Sequence, residues 1–220
     1  MDKSRKNVFA SAYKIVLALV IITGIFSRAG LFGPRLQLHT LYSFTSLANS
    51  YIFILTLATV FAGASPALAR FRSVGVVLIL ITGFVYHFVL LPQKIAENPA
   101  YNVTAYGNIA VHYIVPLGML LDWLLFDKKG TIKKRDPLIW LSLPAAYFIF
   151  SSLYGLWGAA VLGREPTYSY FFMDFGKLGI AGVFRWIFLI FAGLLLLSYA
   201  VYFLDHKMAK IQRDSIKEAD

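Results

Sequence analysis

The sequence predicts an all-α polytopic membrane protein: a six-transmembrane-helix bundle forming a single domain over residues 1–220, with both termini in the cytoplasm. Three observations lead there. The 220 residues are 59% hydrophobic and only 15% charged, where a soluble domain carries about 25% charged residues, and the mean hydropathy is +0.68. Six apolar runs are each long enough for a helix of about 20 residues to cross hydrocarbon. Lys and Arg concentrate in alternate segments between those runs, as topology determinants do.

The first run, 12–28, follows Lys3, Arg5 and Lys6. Thr23-Gly-Ile-Phe-Ser-Arg28 after its apolar core lacks a small-residue cleavage site, so it reads as a helix and not as a signal peptide. The second run is 41–62, the third 74–91 with His87 near its end, and the fourth 108–126, which contains His112 and Pro116. The fifth, 138–162, contains Pro144, and the sixth is 180–204. Proline removes a backbone donor, so kinks are expected at Pro116 and Pro144, with neighbouring groups satisfying the freed carbonyls.

The amino terminus, second loop, fourth loop and carboxyl tail hold fifteen Lys and Arg, against six in the other loops, including Arg28 and Arg164. That bias orients the chain. The same distribution accounts for the net charge of +10 without nucleic acid as a partner. There is no cysteine, which excludes disulfides, thiolate metal sites and a cysteine nucleophile. No internal repeat is visible, which argues against transporters built from paired halves.

Chemistry is sought among polar residues inside the runs. An ionisable side chain in a span is costly and marks a functional site, which singles out His112. With the expected orientation Thr45 shares its side of the membrane, each within roughly 10 Å of its helix end. A hydroxyl becomes an effective nucleophile when an imidazole takes its proton. Asn49, four residues after Thr45 on the same face, is a candidate oxyanion donor. As ordinary membrane residues, Thr45 would bond its own backbone and Asn49 would tie helices together.

His87 is a rival histidine on that side; His39 lies in a loop and His206 at the cytoplasmic end. The histidines lack metal-ligand spacing, so no metal and no cofactor is expected. Asp122 reads as a local charge partner near Lys128 and Lys129. Asp174, Glu165 and Glu97 are the carboxylates available to orient His112. Most aromatic residues, among them Tyr86, Tyr101 and Tyr106, read as interfacial anchors. The denser cluster Tyr168 to Gly176 is a candidate lid or lining.

Phe44-Thr45 with Asn49, His112-Tyr-Ile-Val-Pro116 with Asp122-Trp123, and the stretch Tyr168 to Gly179 together resemble the bacterial six-span relatives of the androgen-induced and androgen-dependent tissue-factor-pathway-inhibitor-regulating proteins. The resemblance covers most of the chain. It implies an intramembrane hydrolase in a bacterial inner membrane. Animal members of the family cleave fatty acid esters of hydroxy fatty acids with a threonine nucleophile and a histidine. Those roles map to Thr45 and His112, with membrane lipids and a lipid-ester substrate as partners. Two other classes remain: a small proton-coupled transporter in which His112 and His87 relay protons, and a non-catalytic membrane scaffold.

Overall fold

The computed structural model describes residues 3–162 and 168–217. The chain is 83% helical, with no strand among the described residues. Helix α1 is Lys3–Arg28, α2 Phe44–Ala62, and α3 Pro66–Val85, which continues through a π-helical turn, Tyr86–Leu90, into α4, Leu91–Glu97. Helix α5, Tyr106–Ile109, continues through a second π turn, Ala110–Ile114, into α6, Val115–Phe126. Then come α7 (Asp136–Trp140), α8 (Ser142–Leu162) and α9 (Phe175–Lys217). Six segments are long and apolar enough to cross a bilayer: Asn7–Arg28, Phe44–Ala62, Pro66–Glu97, Tyr106–Phe126, Asp136–Gly158 and Phe175–Ser215.

The third and sixth segments outrun the hydropathy-based spans 74–91 and 180–204 by many residues. Hydropathy reports the apolar part of a helix, whereas the backbone hydrogen bonds carry on past it into polar sequence. The second helix begins later than residue 41. Leu38–Tyr42 forms a 3₁₀ turn, and Ser43, in extended conformation, accepts the Ser46 amide hydrogen on its Oγ at 3.3 Å. That N-cap fixes where α2 starts.

The chain folds as two compact units, Met1–Ile132 with Val201–Asp220, and Lys133–Ala200. In the first, α1 packs on α2, α5 and α6, while α3 packs on α2 and α6. Its core is apolar around Ile21, Ile52, Val76, Val77, Ile79, Val111 and Met119, all nearly or wholly buried. Large apolar side chains such as Phe61, Phe71 and Phe88 face outward, as lipid contact allows.

In the second unit, the expected kink at Pro144 is a break instead. Helix α7 ends at Trp140 and Pro144 lies in the first turn of α8, where its missing amide hydrogen has no intrahelical acceptor to lose. Tyr147 meets Tyr170 edge to face, and Phe148 meets Phe184. Helix α9 bends at Gly179, whose φ of 63° lies in the left-handed region.

Candidate functional site

Thr45 is the second residue of α2 and is buried. The cap at Ser43 therefore places it in the first helical turn, where main-chain amides point along the axis and favour negative charge. Asn49, one turn on, is wholly buried. Its Nδ2 donates to the carbonyl of Thr45 at 2.8 Å and to that of Val111 at 3.4 Å. Both partners only accept, which fixes the orientation of the amide. Helix α2 and the Ala110–Ile114 turn are thus direct neighbours, and one side chain joins the turn of Thr45 to the residue preceding His112.

The π turn explains why Val111 has a carbonyl to offer. The Val115 amide hydrogen goes to Ala110, five residues back. In that register the next donor would be residue 116, a proline without an N–H. The Val111 carbonyl loses its helical partner, and Asn49 supplies a replacement from the neighbouring helix. Nearby, a Cβ added to Gly83 would lie 2.8 Å from the His112 carbonyl oxygen, so this close approach of α3 requires glycine.

His112 is 3% exposed. Its Nδ1 lies 3.0 Å from the carbonyl oxygen of Asn108. A carbonyl cannot donate, so Nδ1 carries the hydrogen and, in the neutral ring, Nε2 holds the lone pair. The imidazole lies flat on the phenol of Tyr86, with centroids 3.7 Å apart and planes 7° from parallel. Tyr86 comes from the other π turn, and its hydroxyl is 3.3 Å from that of Tyr101. Tyr101 in turn accepts from Asn108 Nδ2 at 2.8 Å. Asn108 therefore holds the ring by its main chain and the ring's stacking partner through Tyr101. This arrangement leaves His112 a fixed orientation and one basic nitrogen, as a general base requires.

The structure places the other sequence-predicted residues as follows. Asn49 directs its amide hydrogens to two backbone carbonyls. His87 is exposed and pairs with the Tyr113 hydroxyl at 3.0 Å. Glu97 is exposed and accepts from Gln93 at 2.7 Å, and His39 sits in the 3₁₀ turn before α2. Tyr168 and Asp174 belong to the second unit. Asp174 Oδ1 accepts the Lys177 amide hydrogen at 3.1 Å, which makes it the cap of α9. Tyr168 packs edge to face on Phe175. Glu165 and Arg164 lie outside the described residues. Tyr86, Tyr101 and Asn108 were not singled out as site residues; the available signal was Asn108, one turn before His112.

Asp122 does not pair with Lys128 or Lys129. It is wholly buried between Lys14 of α1, at 2.6 Å from Nζ, and Arg72 of α3. Arg72 Nε also donates to Asp127 at 2.8 Å, and its NH1 to Thr59 of α2 at 3.4 Å. Lys129 Nζ donates to the carbonyls of Trp123 and Asp127 and sits over the Trp123 ring. Asp205 of α9 accepts the Ile132 amide hydrogen at 3.2 Å. Lys14 and Arg72, read from sequence as topology determinants, are buried counter-ions; without them the Lys and Arg bias keeps its sign.

No family model, curated protein or solved structure matches this chain.

Proposed function

We propose that this chain is an intramembrane hydrolase of lipid esters, of the class represented by fatty acid esters of hydroxy fatty acids, with Thr45 as nucleophile and His112 as general base. His112 Nε2 takes the Thr45 hydroxyl proton as Oγ1 attacks the ester carbonyl. The tetrahedral intermediate collapses, the alcohol leaves with the proton returned by His112, and an acyl-threonine remains. Water then attacks the acyl carbon, giving its proton to His112. Thr45 leaves as the hydroxyl, and the fatty acid is released.

The observation that carries this reading is a tethered, single-tautomer imidazole on the turn whose Val111 carbonyl Asn49 joins to the main-chain carbonyl of Thr45. The first turn of α2 adds a field that favours the developing negative charge. An apolar acyl chain suits a bundle whose outer surface is aliphatic and aromatic. The Lys and Arg bias supports cytoplasmic termini and, with them, a site in the outer leaflet of a bacterial inner membrane.

The test uses purified protein, a fluorophosphonate probe and an acyl ester of a hydroxy fatty acid. Wild type labels at Thr45 and turns the ester over, whereas Thr45→Ala and His112→Ala each lose both. Wild-type rates in either variant would end the hydrolase reading.

A further inference from the structure

Helix α2 carries a polar line along one buried face. Residues 45, 49, 52, 56 and 59 fall within about 80° of one another at 3.6 residues per turn, and the line rises roughly 21 Å. Four of the five are polar: Thr45, Asn49, Thr56 and Thr59, with Ile52 between. The line joins the His112 end to the charge cluster, because Arg72 NH1 donates to Thr59 Oγ1 at 3.4 Å.

Two atoms on this face are buried without a hydrogen-bond partner among the described residues, Asn49 Oδ1 and Thr56 Oγ1, both in wholly buried residues. Asn49 cannot cure this by flipping, since its Nδ2 faces two carbonyls. Leaving such a group unpaired forfeits its hydration without replacement, and bound water is the usual partner of polar groups in this position. Between them Ile52 is wholly buried, and its Cδ1 fills the place that a Cβ on Gly75 would take.

We infer that α2 holds two water sites, one on Asn49 beside Thr45 and one on Thr56, a turn before the Thr59 that Arg72 contacts, separated by Ile52 seated in the notch of Gly75. The Ile52 side chain is a dry seal. It breaks a water file that would otherwise run from His112 to the Lys14–Asp122–Arg72 cluster and carry protons across the bilayer. The inference does not depend on Thr45 being a nucleophile. If Thr45 is one, the Asn49 site supplies the water that resolves the acyl intermediate.

The chain has no cysteine, so single cysteines report local hydration directly. Thr56→Cys, Ile52→Cys and the outward-facing Ile54→Cys are reconstituted in liposomes and treated with silver ion, and protected thiols are counted with a maleimide after denaturation. Thiolate forms only where water reaches it. Thr56→Cys is expected to react on the order of 100-fold faster than Ile54→Cys, and Ile52→Cys to react as slowly as Ile54→Cys. Equal rates at 56 and 54 overturn the water site, and equal rates at 56 and 52 overturn the seal. Ile52→Val, which removes one terminal methyl and keeps the fold, provides the second measurement. It raises dye-reported proton leak in proteoliposomes above wild type; a leak no greater than wild type, in protein that remains monodisperse, also overturns the seal.

Discussion

The imidazole of His112 lies parallel to the phenol ring of Tyr86 at a centroid separation of 3.7 Å. Each ring comes from a π turn, and in each helix a proline follows the first residue of the turn by six positions, Tyr86 to Pro92 and Ala110 to Pro116. The stack therefore depends on two local irregularities brought level with each other.

Tyr86→Phe keeps the stack and loses only the hydroxyl contact to Tyr101, so it is expected to cost about 0.5–1.5 kcal/mol of stability and to leave ester turnover nearly intact. Tyr86→Ala frees the ring to tilt. A misplacement of about 1 Å lowers turnover roughly 100-fold. Steady-state rates on the two purified variants check this, and equal rates for Ala and Phe would contradict a positioning role for the ring.

Asp122 bridges Lys14 and Arg72, and Asp127, also paired with Arg72, supplies the second negative charge of the cluster. Asp122→Ala leaves buried positive charge without its partner and is expected to destabilise the first unit by about 3–5 kcal/mol. Pairing Asp122→Asn with Lys14→Met removes one charge of each sign and leaves Arg72 its bond to Asp127, so at least half of that loss should return. Denaturant titration in detergent measures both. Asp122→Ala unfolding at the wild-type midpoint would show that the cluster is not a clamp.

Burial pulls the Lys129 ammonium below its ordinary value of 10.5, an effect opposed by Asp127 and Asp205. The unfolded chain then holds that proton more tightly than the folded one, so stability rises with pH between the lowered value and about 10.5. Thermal midpoints of wild type should climb over that window, and Lys129→Met should flatten the climb. An unchanged slope in Lys129→Met assigns the climb to other groups.

The spans were legible because hydropathy integrates over some twenty residues, and a single misplaced polar group hardly alters the sum. Thr45 and His112 stood out for a related reason: each is a polar residue where apolar ones dominate. Asn49 was found for its spacing from Thr45, but its bonding was not legible, since that depends on a carbonyl 62 residues away. Lys14 and Arg72 look like ordinary flanking cations until α1 and α3 are packed against Asp122. Pro116 announced an interruption, yet one proline is compatible with a kink, a break or a π turn, and Pro144 took the second course where Pro116 took the third. The neighbouring helix decides among them, by offering or withholding a donor such as Asn49.

A π turn is an α-helix with one residue too many, and this gives the site a particular vulnerability to changes in chain length. Removing Ile114 would restore ordinary winding and re-aim His112 within its turn, away from Tyr86, with every other side chain of the site still present. Conservative substitutions around the site should be absorbed by packing, whereas loss of a single codon there would disassemble it. In this helix the count of residues carries as much information as their identity.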